Sequence, residues 1–344
     1  MYRKPEITVL LPAYNASETI SEAIESILCQ SFENFEFLII NDGSTDNTLD
    51  IIQSYAQKDS RIRVINQKNM GLIATLNKGL ISSSAKFIAR MDADDISLPN
   101  RLELQFTLIK ENPKISVCGS SIETIETGEK YINESDPNKI KAFAMFGSPL
   151  THPSVLMNKQ DVLSVGGYSP DALHAEDYDL WDRMILHGFL LSNIKEVCLK
   201  YRLNLNKSRQ SYSVQMAHTT YMIYRRILNR IGIFPSEHDI ILHSVCAYSR
   251  QEPSWKVRQV KKWLDFLKTQ NKIYRYVPQE DLKFATDNLF SKIKTLTLLN
   301  DRPAWIRRNL RHSVNMFLPL LGTHRIKAEV FIESFWYNLK NLKK

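Results

Sequence analysis

Four short apolar runs, each closed by a polar turn and followed by helical periodicity, constrain this chain more than any other feature. Residues 7–11 form the first run and lead into the turn Pro12-Ala13-Tyr14-Asn15. Beyond Ser17, the residues Ile20, Ala23, Ile24, Ile27 and Leu28 recur on one helical face. The second run, 35–40, stops at Asn41-Asp42-Gly43-Ser44-Thr45-Asp46. Asp46 or Thr48 there could cap a helix carrying Leu49, Ile51, Ile52 and Tyr55. Residues 61–65 and 71–80 repeat the pattern, and residues 86–91 form the fourth run, ending at Asp92. Such alternation predicts an α/β fold with a mostly parallel, doubly wound sheet. Ligands of these sheets bind beyond the carboxyl ends of the strands. The Pro12 turn, the Asp42 turn and the Asp92 cluster are therefore expected in one site.

The chemistry concentrates in residues 85–99, AKFIARMDADDISLP. Strand geometry would send Asp92 and Asp94 to the same side. Two carboxylates there repel each other, and burying a charge without a partner is costly. A hard divalent cation such as Mn²⁺ or Mg²⁺ removes the conflict, since it takes oxygen ligands from carboxylates and substrate phosphates. An isolated Asp-x-Asp is more often a solvated turn; its position at the end of the fourth strand argues for more here. Asp95 is expected to cap the following segment.

Further along, residues 98–110 read as a helix with Leu102, Phe106 and Ile109 inward, and 115–125 as a strand. Residues 126–147 are weakly patterned, apart from a hairpin signal at Gly128. Residues 150–158 read as a strand in which His152 is packed, with a ligand role as the alternative. Gly166-Gly167 centres a turn in 164–170. Residues 176–186 form a helix burying Leu180, Trp181, Met184 and Ile185, with Glu176 and Asp177 in its first turn, where the helix dipole favours anions.

A hydrophobic fraction of 43% beside 24% charged residues is that of a globular protein. The four cysteines, Cys29, Cys118, Cys198 and Cys246, have no metal-ligand spacing and are expected as reduced, buried thiols of a cytoplasmic protein. The first apolar run is too short for a signal peptide, and no stretch of about 18 apolar residues predicts a transmembrane helix. The net charge of +8 is uneven: residues 1–214 hold 22 Lys+Arg against 27 Asp+Glu, and residues 215–344 hold 23 against 10. That basic last third reads as mostly helical. Arg225, Arg226 and Arg230 interleave with Tyr221, Tyr224, Ile227, Leu228 and Ile231. Lys256, Arg258, Lys261, Lys262 and Lys268 accompany Val257, Val260, Leu264 and Leu267. Arg307, Arg308 and Arg311 stand beside Met316–Leu321. Basic amphipathic helices of this kind suit an anionic membrane surface, and equally a helical domain with a solvated basic face.

The strings ITVLLPAYN, FLIINDGSTDNT, NMGLIATLNKGL, FIARMDADDISLP and AEDYDLWDRM, in this order, resemble the family 2 glycosyltransferases of the GT-A fold, especially bacterial enzymes that build surface polysaccharide. The resemblance covers residues 5–205. It implies an inverting transfer of one sugar from a nucleotide-sugar, taken to be a UDP-sugar, with Mn²⁺ or Mg²⁺, to a saccharide acceptor that is lipid-linked. It places Pro12, Ala13 and Tyr14 around the nucleotide, Asp42 at the base or ribose, and Asn77 and Ala93 at the donor. Asp92 falls near the ribose and metal, Asp94 becomes the metal ligand, and Asp177 the general base, with Glu176 ranked behind it. Asn41 stands where many relatives carry an aspartate, and Leu76 where many carry an arginine, which leaves the donor less defined than the reaction.

The expected organisation is a GT-A catalytic domain over 1–214, with a nucleotide-sugar half at 1–105 and an acceptor half at 106–214. A basic helical region follows at 215–344. The expected place is the cytoplasm, on the inner face of the cell membrane. Two rivals stand beside this reading. A nucleotidyltransferase acting on sugar phosphates would need a basic Gly-rich loop after the first strand, which Pro12–Asn15 does not supply. A non-catalytic nucleotide-sugar or nucleic-acid binder would have no use for Asp42, Asp92, Asp94 and Asp177 together, and the basic third carries no nucleic-acid motif.

Overall fold

The computed structural model describes residues 4–203, 209–248 and 257–300. The chain divides into two compact units, one from residues 1–133 and 150–205 and the other from residues 134–149 and 206–344.

The first unit opens with β1 (Ile7–Ala13), α1 (Ile20–Leu28), β2 (Phe35–Asp42), α2 (Thr48–Ala56), β3 (Ile62–Gln67), α3 (Leu72–Ser82), β4 (Phe87–Arg90), β5 (Ile96–Ser97), α4 (Arg101–Glu111), β6 (Ile115–Thr124) and β7 (Lys130–Tyr131). After α5 (Pro137–Ala144), which belongs to the other unit, come β8 (Leu156–Asn158), α6 (Lys159–Ser164), α7 (Glu176–Leu186) and β9 (Leu190–Tyr201). The strands form one sheet in the order β3-β2-β1-β4-β8-β6-β9-β5, with β7 beside β6. The first four strands are parallel. β8 runs antiparallel to both β4 and β6, so β6 and its parallel neighbour β9 point the same way as β1. The carboxyl ends of β1, β2, β3, β4, β6 and β9 therefore share one edge.

β1 is buried along its whole length, which explains why all but Thr8 of it is apolar: both faces of a parallel sheet are covered. Ile7, Val9 and Leu11 join Ile20, Ala23, Ile24 and Ile27 of α1 in one core. Each such side chain contributes about 2 kcal/mol on burial. Leu10 points the other way, toward α3, where a Cβ on Gly79 would lie 2.3 Å from it. Only glycine lets α3 approach β1 this closely.

Four local readings change. Pro12 and Ala13 continue β1 and do not form a turn. β1 pairs with β4 only through Leu10, and Pro12 has the parity that faces that vacant side, so its missing N–H breaks no ladder bond. Residues 150–158 are strand only over Leu156–Asn158; His152–Ser154 form a single 3₁₀ turn, because Pro153 fixes a helical φ and lacks a ladder donor. In 126–147 lie β7 and α5, whose start is capped by Asp136, accepting from the N–H of Asn138 and Lys139 ahead of Pro137 at the first turn. Cys29 is exposed, while Cys118, Cys198 and Cys246 are buried and unbridged.

The second unit contains α5, α8 (Arg209–Arg230), α9 (Glu237–Tyr248), α10 (Val257–Tyr274) and α11 (Gln279–Asn300). α10 buries Val260, Leu264 and Leu267, as its sequence period predicts, and Trp263 besides, while Val257 is half-buried. Its core holds His243, whose Nε2 lies 2.8 Å from the Met145 carbonyl and whose Nδ1 accepts from the Trp263 indole at 3.2 Å. The carbonyl requires the proton on Nε2, and the indole requires Nδ1 bare, so one neutral tautomer satisfies both. Burial pushes this imidazole down to about 4. No helix among the described residues is long and apolar enough to cross a membrane. The segment with Arg307, Arg308 and Arg311 beside Met316–Leu321 lies outside the described residues.

Candidate active site

The acidic turn lies at the common edge. β4 ends at Arg90 and β5 begins at Ile96, so Asp92, Asp94 and Asp95 occupy a turn and not a strand. Strand alternation is therefore not what brings Asp92 and Asp94 together. The turn does it: carboxylate oxygens of Asp92, Asp94 and Asp95 lie within 4.8 Å of one another. Several anchors hold it. Thr19 Oγ1 donates to the Ala93 carbonyl at 2.9 Å. Arg202, just past β9, donates from its backbone N–H to Asp95 Oδ1 at 2.8 Å and from Nε to the Asp94 carbonyl at 2.8 Å. Its Nη2 reaches Glu22 at 2.7 Å. β5 pairs with β9 at Ile96 and Ser97, which fixes the far side of the turn, and Arg90 pairs with Asp92 on the near side.

Asp95 is buried and caps nothing; its Oδ2 has no hydrogen-bond partner. Burial first, then the charges of Asp92 and Asp94, push its carboxyl well above the usual range. Three crowded carboxyl groups and one orphaned buried oxygen make an oxygen-only donor set of the kind that suits a hard divalent cation. Acidic clusters without a metal are common, so the chemistry of the donor set is the argument, not the crowding alone.

The loops at the ends of β1 and β2 are laced together. Pro12 and Ala13 are buried within β1, whereas Tyr14 is 52% exposed. Asn15, with φ of 48°, donates from its N–H to Ser44 Oγ at 3.0 Å and accepts from the Thr45 N–H at 2.8 Å. Asp46 accepts from Ser17 N–H and from both the N–H and hydroxyl of Thr48. Slight burial would raise its pKa, but these bonds hold it at about 2. Asp42 is buried and binds the loop before α3: Gln67 Nε2 and the Met70 N–H donate to Oδ1 at 2.7 and 2.9 Å, and the Gly71 N–H to Oδ2 at 2.9 Å. Asn77 is likewise committed to protein: its amide donates to the Tyr168 carbonyl at 2.8 Å and accepts from the Tyr168 N–H at 2.9 Å.

Tyr168 links α3, through Asn77, to the 3₁₀ turn that carries His152. Its phenol is 1% exposed and stands 2.8 Å from His152 Nε2. Burial raises its pKa far above normal, Arg90 opposes this, and Glu176, Asp177 and Asp92 add to it. Asp177 is 4% exposed, and Glu176 is half-buried. Trp181 is wholly buried and belongs to the core; His152 packs edge-on against it with ring centroids 6.1 Å apart. Arg183 locks the neighbouring glycine turn, donating to the carbonyls of Val165 and Gly167 while pairing with Asp179 at 2.7 Å.

Sequence reading missed Arg90, Tyr168 and Arg202. Arg90 was discoverable: an arginine inside a buried strand, two residues before a carboxylate, needs a partner. Arg202 was not, because the strand that delivers it had not been placed.

The family model described as "Glycosyl transferase family 2" matches residues 8–161. An uncharacterized glycosyltransferase of Haemophilus influenzae is 36% identical over 67% of this chain and 76% of its own length. The Escherichia coli protein named UDP-Gal:alpha-D-GlcNAc-diphosphoundecaprenol beta-1,3-galactosyltransferase is 30% identical over 64% of this chain and 84% of its own. Among solved structures, S. aureus TarS 1-349 in complex with UDP-GlcNAc shares the fold with a TM-score of 0.54 at 16% identity, covering 90% of this chain and 92% of that one.

Proposed function

Since the chain belongs to glycosyl transferase family 2, and is an enzyme that uses a nucleotide-sugar donor, we infer that it moves one sugar from a UDP-sugar to a lipid-linked saccharide, with inversion, in the building of a cell-surface polysaccharide. The single observation that carries the reading is the acidic turn at the end of β4, where carboxylate oxygens of Asp92, Asp94 and Asp95 lie within 4.8 Å of one another. The donor's diphosphate needs such a set of oxygen ligands to hold its counter-ion.

Asp94 and Asp92 would hold Mn²⁺ or Mg²⁺, which when bound offsets the charge that grows on the diphosphate leaving group. Pro12, Ala13 and Tyr14 border the nucleotide at the end of β1. Asp42 shapes the base pocket through the loop it ties, and Asn77 through its clamp on Tyr168. Asp177 takes the proton of the acceptor hydroxyl. The freed oxygen attacks the anomeric carbon from the face opposite the diphosphate, a new C–O bond forms, and the old one breaks with its electron pair leaving on the diphosphate. One displacement inverts the centre and needs no enzyme nucleophile. The E. coli relative's name gives a UDP-sugar donor and a diphosphoundecaprenol-linked acceptor, which supports this choice of both.

The test is a panel of UDP-, GDP- and dTDP-sugars, read by thermal shift and by sugar release, with Mn²⁺ and with excess EDTA. UDP-sugars are expected to stabilise the protein and to be hydrolysed slowly only with the metal. Full activity in EDTA overturns the metal role, and preference for a GDP- or dTDP-sugar overturns the donor.

A further inference from the structure

The helical unit carries three exposed apolar side chains near the ends of two of its helices. Phe234, between α8 and α9, is 85% exposed; Ile273 and Tyr274, the last residues of α10, are 68% and 51% exposed. Single exposed large side chains are ordinary. These belong together, because the Tyr274 ring rests on Gly232, two residues before Phe234. A Cβ at Gly232 would stand 2.1 Å from ring atoms. The turn that follows is built firmly. Arg275 adopts φ of 51°, a conformation costly for a residue with a side chain. Asn271 staples it, with Oδ1 accepting from Val277 N–H at 3.0 Å and Nδ2 donating to the Val277 carbonyl and to Gln279 Oε1, each at 2.9 Å. A left-handed arginine and a glycine that admits the Tyr274 ring thus shape the chain beside these exposed groups.

The surround is basic. Lys272 and Arg275 are exposed on either side of Ile273 and Tyr274. Arg230, ending α8, donates to Tyr276 Oη at 3.3 Å, and Lys141 Nζ lies 4.4 Å from the Tyr276 ring centroid. Of the acidic residues that follow Phe234 in sequence, Asp239 accepts from the N–H and hydroxyl of Ser236.

We propose that this patch docks the protein on an anionic lipid surface, with Phe234, Ile273 and Tyr274 entering the interfacial layer and Lys272 and Arg275 at headgroup level. Apolar and aromatic tips ringed by cations match that layer, where a mobile anionic sheet meets hydrocarbon. Three side chains are far fewer than the roughly 20 residues a side of a stable protein interface, whereas a bilayer accepts a small apolar wedge of any outline. The proposal agrees with a lipid-linked acceptor but stands on the patch itself.

The test uses the full chain and vesicles of phosphatidylcholine, alone or mixed with phosphatidylglycerol, without donor or acceptor. Its outcome is thus independent of the proposed transfer. The wild type is expected to co-sediment with the anionic vesicles and to release as salt rises. Phe234→Ser with Ile273→Ser should weaken binding at least about tenfold, and Lys272→Glu about five- to tenfold, with nucleotide-sugar hydrolysis unchanged in both. Indifference of the wild type to anionic vesicles at low salt overturns the proposal. So does equal binding by the double serine variant, or a change in its self-association while vesicle binding stays the same.

Discussion

Arg90 and Asp92, two residues apart at the end of β4, form an ion pair whose cation is 3% exposed and whose carboxylate is 30% exposed. The guanidinium keeps Nε and Nη1 without partners, so its charge is directed at the acidic turn. Burial opposes that charge, yet Asp92 beside it holds Arg90 more firmly protonated than an ordinary arginine. The pair works against the repulsion that pushes Asp95 up.

Arg90→Met should therefore destabilise the protein by about 2 kcal/mol in EDTA. This is less than a fully buried pair would cost, because water reaches Asp92. Added Mn²⁺ should restore more stability to the variant than to the wild type, since Asp92 then lacks its ion-pair partner. Unfolding in denaturant with EDTA and with Mn²⁺ measures both. Identical midpoints for variant and wild type in EDTA would show that the pair does not support the turn.

Asp94→Ala should abolish the Mn²⁺-dependent part of nucleotide-sugar binding while leaving the fold intact, because Asp94 is half-buried and its backbone carbonyl still receives Arg202. Calorimetry with and without Mn²⁺ reads it. Undiminished Mn²⁺-dependent binding would remove Asp94 from the metal site.

The parts legible in sequence are those where one local pattern suffices. The face of α1, the run of β1 and the first turn of α7 follow from spacing alone, and the structure has them. Asp92 and Asp94 are legible as a cluster, but a turn, and not strand alternation, gathers them. What stayed hidden depends on distant chain. Arg202 meets Asp95 across 107 positions, and Asn77 clamps Tyr168 across 91. β9, interrupted by register shifts against β6, lacks the clean period that would reveal it. Asp42 shows the same limit from the other side. Its place at the strand end was readable, but its bonds to the Met70 and Gly71 N–H groups were not.

Asp177→Asn keeps the size of the side chain and removes its capacity to take a proton. Turnover should fall about 10²- to 10⁴-fold with the KM for donor nearly unchanged. Steady-state kinetics with a lipid-linked acceptor separates the two constants. Normal turnover would pass the role to Glu176, and a raised donor KM would mean that Asp177 holds donor and not acceptor.

His243 gives the helical unit a pH dependence with a defined sign. The imidazole is neutral in the folded protein down to about 4, while an unfolded histidine titrates near 6.5. Between those values the unfolded state binds the extra proton, so stability is full above about pH 6.5 and is lost as pH falls toward 4. From about pH 7.5 to about pH 5 this one group should cost about 2 kcal/mol. The environment offers no relief, since the ring is enclosed by the Met145 carbonyl, the Trp263 indole, Phe146 and Tyr224. His243→Gln keeps an amide donor for Met145 and an acceptor for Trp263 but does not titrate. Its stability at neutral pH should be lower, through poorer packing, yet its decline on acidification should be shallower than that of the wild type by about one proton over this window. Denaturant unfolding of both proteins across the range measures the two slopes, and parallel slopes would show that His243 is not the titrating group.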